Sequence, residues 1–109
     1  MLELFQTEWC PASRRVRHRL TELGLDYVNR QVPVDRDERA ALHAATGSDT
    51  IPGLVLEDGS AVVGEDEILA YLDQHYEESE EAEPHRVKAA KAHRRYLEEE
   101  CACLPLATR

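Results

Sequence analysis

Apolar residues along this chain recur in two rhythms, one suited to strands and one to helices. Leu2, Leu4 and Phe5 make a short extended run. Beyond a polar loop, Val16, Leu20 and Leu23 repeat at helical spacing among Arg14, Arg15, Arg17, His18 and Arg19. This pattern predicts a strand and then a helix from Pro11, with one buried stripe and charged remaining faces. Gly24 suits the position just past that helix's end. Residues 26–32, centred on Tyr27 and Val28 and closed by Pro33, predict a second strand. A right-handed helical crossover between the two strands sets them parallel.

Asp35 and Glu38 have capping-box spacing and predict a helix through Ala41, Leu42 and Ala45 to Gly47. Two apolar runs, 54–56 and 61–63, flank Glu57-Asp58-Gly59-Ser60 and predict a hairpin. Gly64-Glu65-Asp66-Glu67 then opens a helix carrying Ile68, Leu69, Leu72 and Tyr76, its acidic residues at the positive end of the dipole. The order βαβαββα is an α/β arrangement with a four-stranded mixed sheet and helices on both faces. Residues 77–84 read as an acidic, solvated linker. Residues 85–100 predict one more helix, with a sparse stripe of Val87, Ala90, Leu97, Cys101 and Leu104 that docks on this domain or makes a homodimer. The expected organisation is a folded unit over 1–78, followed by linker, helix and tail over 79–109.

Composition narrows the function classes. At 109 residues, the chain is long enough for a single core. Thirteen basic residues against 22 acidic ones leave a net charge of −9. That excludes nucleic acid as an expected partner, since neutralising phosphates takes basic surface. The longest apolar runs are strand-sized, so neither a signal peptide nor a membrane span is expected, and the cytoplasm is the default compartment. Cys10, Cys101 and Cys103 are odd in number and unevenly spaced. They predict no disulfide framework, and no second Cys-x-x-Cys or His pair points to zinc, so no metal is expected. Cys101 and Cys103 are read as incidental, the alternative being a pair that resolves Cys10 or binds a metal.

Candidate chemistry gathers at Glu8-Trp9-Cys10-Pro11-Ala12-Ser13. Pro11 suits the first helical position, where its missing N–H is not needed. Cys10 then faces the unpaired N–H groups and the positive end of the helix dipole. Arg14 and Arg15 add cationic charge. Each influence favours the thiolate, so a reactive sulfur is expected rather than an inert buried one. Ser13 either donates its hydroxyl to that sulfur or satisfies a backbone group of the first turn. Trp9 either shields one side of the thiol or packs beneath the loop.

Cys10-Pro11-Ala12-Ser13, Thr50-Ile51-Pro52 and Gly64-Glu65-Asp66, in this order and context, resemble glutaredoxins and glutathione S-transferase N-terminal domains over residues 2–76. The resemblance implies a thioredoxin-like fold with an extra C-terminal helix. It also implies Cys10 as nucleophile beside Ser13, and a cis peptide before Pro52. The Ile51 backbone is then free to pair with the cysteinyl unit of glutathione. Glu65 and Asp66 stand at the γ-glutamyl end, a role compatible with simple helix capping, and Trp9, Pro11, Arg14 and Thr50 complete the glutathione-binding set.

The implied activity is monothiol, glutathione-dependent thiol–disulfide exchange. Its cofactor is glutathione or a related low-molecular-weight thiol, and its partner a small thiol or glutathionylated protein. Ser13 removes the second cysteine of a dithiol enzyme, and Thr7 stands where many glutaredoxins carry a lysine. Arg14 or Arg39 could replace that lysine, though each also reads as an exposed helix charge. Two alternatives stay open. One is a glutathione S-transferase-like thiol transferase or dehydroascorbate reductase needing an oligomer for its second site. The other is a non-catalytic thiol- or iron–sulfur-binding module.

Overall fold

The computed structural model describes residues 1–107, with side chains described to residue 97. Strand β1 (Leu2–Gln6) leads into helix α1 (Pro11–Glu22), then β2 (Tyr27–Gln31) and helix α2 (Ala40–Thr46). The hairpin strands β3 (Gly53–Val55) and β4 (Ala61–Val63) follow, then helices α3 (Glu65–His75) and α4 (Ala82–Ala107). Sheet order is β2-β1-β3-β4, with β1 parallel to β2 and antiparallel to β3, and β3 antiparallel to β4. This is the mixed sheet of a thioredoxin-like fold.

Two antiparallel steps make β4 run in the same direction as β1. The helices that follow these strands therefore begin at one end of the sheet, and the loop entering β3 lies at that end too. This topology gathers Cys10, Pro52 and Glu65 from three distant motifs.

Side-chain alternation divides the sheet into two faces. Leu2, Leu4 and Leu54 meet Val16, Leu20 and Leu23 of the α1 region and Ile68 and Leu72 of α3. Burying each such leucine contributes about 1.5–3 kcal/mol of transfer free energy. Gly53 points the other way, where an added Cβ would lie 3.1 Å from Thr46 and 3.5 Å from Leu42 of α2. The missing side chain there lets α2 approach the second face closely.

Two sequence expectations are corrected. Asp35 does not open α2: its Oδ1 accepts the Asp37 N–H at 2.9 Å and caps a single 3-10 turn, Arg36–Glu38. Arg39, at φ −92° and ψ 43°, separates that turn from α2. The carboxylate reached two residues along the chain rather than three, which favours a turn over a helix start.

Nor is 77–84 a free linker. Both the N–H and the hydroxyl of Ser79 donate to the Glu22 carbonyl, at 3.0 and 3.1 Å. Ala82 is buried and begins α4 ahead of the expected start. Glu78 lies 2.8 Å from both Arg86 and Arg19, which hold its carboxyl down at about 2. The acidic stretch thus fastens α4 against α1. Cys101, Cys103 and Leu104 lie outside the residues whose side chains are described. Among the described residues, no helix is long and apolar enough to cross a membrane.

Candidate active site

Cys10 is the N-cap of α1, with extended backbone at φ −79° and ψ 120° and Pro11 as the first helical residue. Its Sγ accepts the Ser13 N–H at 3.4 Å, the bond a serine or aspartate oxygen makes at other N-caps. Ser13 is fully buried, and its Oγ accepts the Thr7 N–H at 3.5 Å. One hydroxyl thus ties the loop down and also serves the sulfur. Burial pushes the Cys10 thiol up, but hydrogen bonds from the Ser13 hydroxyl, Ser13 N–H and Ala12 N–H outweigh it and hold the thiol below its ordinary value, against an opposing push from Glu65.

The hydrogen bonds of the cap, more than nearby arginines, therefore lower this thiol. Arg15 forms an ion pair with Glu65, and Arg14 Nη2 donates to His93 Nδ1 at 3.1 Å. Arg15 still attracts the thiolate, but through a guanidinium already matched by a carboxylate.

The Ile51–Pro52 peptide is cis and Pro52 is fully buried. Pro52 accepts the Gly64 N–H at 2.9 Å, so its carbonyl faces β4. The two-residue period turns Ile51 to the opposite side, along the edge where Gly53 pairs with Phe5. β1 ends before it reaches Ile51, whose N–H and C=O have no hydrogen-bond partner among the described residues. An extended peptide finds both groups available. Thr50 beside it is exposed.

Arg39 corrects a further expectation. It is buried at 7% exposure rather than an exposed helix charge. Its Nε donates to Pro33 O at 2.9 Å, Nη1 to Asp49 O at 2.9 Å and Nη2 to Val34 O at 3.1 Å. The guanidinium fork thereby joins the loop after β2 to the residue preceding Thr50. Sequence spacing carried no sign of this, because the carbonyl partners belong to the backbone and leave no compositional trace.

At the start of α3, Gly64 is an N-cap with φ 92° and no side-chain capping bond. Among the described residues no side chain accepts from the first-turn N–H groups, and Glu65 and Asp66 flank them. Arg15 Nη2 donates to Glu65 Oε1 at 3.1 Å, and the pair holds the Glu65 carboxyl below its ordinary value. This α1–α3 contact was missed from sequence, although two helices starting at one sheet end would have brought these charges together.

Cys10, Trp9, Pro11, Arg14 and His93 line a hollow of about 420 Å³. Trp9 is 61% exposed and stands on its rim, not beneath the loop. His93 arrives from α4, a contribution the sparse apolar stripe did not announce. Thr7, in the position considered for a lysine, is buried, and its Oγ1 has no hydrogen-bond partner among the described residues.

Residues 4–80 match the family described as glutathione S-transferase, N-terminal domain. The chain belongs to this family. A glutathione S-transferase from Rhodospirillum rubrum F11 is 30% identical, with TM-score 0.61 over 70% of this chain and 34% of its own. A glutathione transferase family member from Pseudomonas fluorescens Pf-5, solved with bound glutathione, is 29% identical with TM-score 0.64, over 71% of this chain and 39% of its own. A glutathione S-transferase from Methylobacillus flagellatus KT, also with glutathione bound, is 28% identical with TM-score 0.58, over 69% and 37%. This chain thus spans little more than a third of the length of these family members. No curated protein matches it.

Proposed function

We propose that this chain is a glutathione-dependent thiol transferase in which Cys10 is the nucleophile, a monothiol thiol–disulfide oxidoreductase. The observation that carries the reading is a capped, hydrogen-bonded sulfur with a depressed pKa, at the sheet end where the Ile51 backbone has no partner among the described residues. Two solved family members hold glutathione, which supports the same thiol as the ligand here. Residues 1–78 then form the thiol-binding unit, and 79–109 are the appended segment that carries α4. The reaction requires a free thiolate and so suits the reducing conditions of the cytoplasm.

Bound glutathione would lie along Ile51 as an added strand, its cysteinyl N–H and C=O paired with that backbone. Its γ-glutamyl carboxylate meets the N–H groups at the start of α3, and its ammonium meets Glu65 and Asp66. Thr50 and Pro52 hold the shape of the loop, and Trp9, Pro11 and Arg14 border the sulfur. The Cys10 thiolate attacks the glutathione sulfur of a mixed disulfide. A new sulfur–sulfur bond forms on Cys10, the old one breaks, and the departing thiolate takes a proton from solvent. A second glutathione thiolate then attacks the glutathione sulfur on Cys10, releasing glutathione disulfide and restoring the Cys10 thiolate. A thiol pKa near ambient pH balances thiolate fraction against nucleophilicity. Ser13 supports the thiolate but cannot resolve the intermediate.

The second reading is glutathione conjugation to an electrophile, which family membership favours. Assaying a glutathione mixed disulfide beside a generic aromatic electrophile separates them. Thiol transfer predicts turnover of the disulfide, lost in Cys10→Ser. Turnover of the electrophile alone, retained in that variant, would replace the first reading with the second.

A further inference from the structure

Beyond the hollow at Cys10, the cleft between α1 and α4 continues as two more hollows of about 330 and 350 Å³, bounded by His18, Ala89 and Ala92. Their charge is unlike that of the chain as a whole, which carries −9. Among the described residues, the middle hollow is lined by Arg14, His18, His93 and Tyr96 and by no carboxylate. Among the described residues, the carboxylates on the outer two are Glu8 and Glu22. Both are already paired, Glu8 with Arg17 at 3.0 Å, and Glu22 with Arg19 at 2.8 Å and Arg86 at 3.3 Å.

Arg14 and Arg15 face different ways because successive helical residues lie about 100° apart. Arg15 turns to α3 and Glu65, the side proposed for glutathione. Arg14 turns to α4 and makes no ion pair among the described residues. A guanidinium only donates, so the Arg14 bond uses the Nδ1 lone pair of His93 and leaves Nε2–H as a second donor. Ala89 and Ala92 supply an apolar floor, and Tyr96, 63% exposed, an aromatic wall.

We propose that Arg14 and His93 make this cleft select mixed disulfides whose leaving thiol carries a carboxylate on a small apolar or aromatic body. Arg14 and His93 are its specificity-determining residues. The proposal rests on thiol transfer at Cys10. The leaving thiolate departs along the cleft with its carboxylate held by Arg14, one helical turn from the sulfur.

The test uses two glutathione mixed disulfides, of 4-mercaptobenzoate and of 4-mercaptobenzamide, which share shape but differ in charge. Wild type should turn over the acid about fivefold to tenfold faster in kcat/KM, as expected for one partly exposed charge-assisted contact. In Arg14→Gln that ratio should fall towards one, and His93→Leu should lower it in part. Equal turnover by wild type, or an unchanged ratio in Arg14→Gln, overturns the proposal while leaving thiol transfer standing. Trp9 is the only tryptophan and lines the Cys10 hollow with Arg14, so its fluorescence reads binding without catalysis. Benzoate should give a saturable change that benzamide does not, lost in Arg14→Gln. If neither disulfide is turned over, thiol transfer fails, and this titration decides the cleft alone: no difference between benzoate and benzamide rejects it.

Discussion

Ser13 donates its backbone N–H to the Cys10 sulfur at 3.4 Å, so the proposed nucleophile also caps the helix that follows it. Structure and reactivity share one interaction. A thiolate accepts that bond better than a thiol does, and the local helix start favours the charged form.

The first prediction concerns Ser13→Ala, which removes the hydroxyl bond and keeps the backbone one. The Cys10 pKa should rise, because the hydroxyl is the strongest lowering influence on it. Iodoacetamide labelling across pH should therefore reach half its maximum rate at higher pH, with slower labelling at neutrality. An unchanged profile would show that the hydroxyl only ties the loop to Thr7.

Glu65→Gln separates charge at the sulfur from charge at the ligand. Removing a negative group that pushes the thiol up should lower its pKa further. The same change removes a partner for the glutathione ammonium and should raise KM for glutathione about tenfold. Faster labelling of Cys10 at neutral pH combined with weaker glutathione saturation is the expected signature. Two changes of the same sense would refute it.

Arg39→Met leaves three carbonyls without their donor. Charge-assisted bonds of this kind make a loss of about 3 kcal/mol the expected cost, read as a lower denaturant midpoint at constant slope. Glutathione KM should rise, because the loop bearing Ile51 loses its tie at Asp49. Arg39→Lys should recover part of both, since an ammonium keeps the charge but not the fork.

Acid should loosen α4 before it unfolds the sheet. Arg86 and Arg19 hold the Glu78 carboxyl at about 2, below its ordinary 4.5. A depressed carboxyl stabilises the folded form above its unfolded value, and that contribution disappears as pH falls through the folded value. Helical signal from α4 should decline between those limits, and Glu78→Gln should show the loss already at pH 7. Circular dichroism against pH reads both.

The strands, α1 and α3 were legible in sequence because each follows from local pattern, whereas the meeting of the three motifs was legible through the family resemblance alone. Leu2 and Leu4 alternate, Val16 and Leu20 repeat one turn apart, and Pro11, Pro52 and Gly64 mark turns by their own backbone chemistry. What escaped depended on long-range partners. Arg39 looked like any charged helix residue until its carbonyls came from two loops. Asp35 offered two competing hydrogen bonds, and the nearer one won. Glu78 belonged to a run whose composition reads as solvated, yet Arg19 lies 59 positions away in sequence and closes on it. The same distance hid His93, which reaches the Cys10 hollow only because α4 folds back along α1.

The most direct test of Cys10 as the reactive sulfur is intact-mass analysis after incubation with oxidised glutathione. Wild type should gain one glutathione, mapped by digestion to Cys10, and Cys10→Ser should gain none. Equal labelling of both proteins, or an adduct confined to Cys101 or Cys103, would contradict the account.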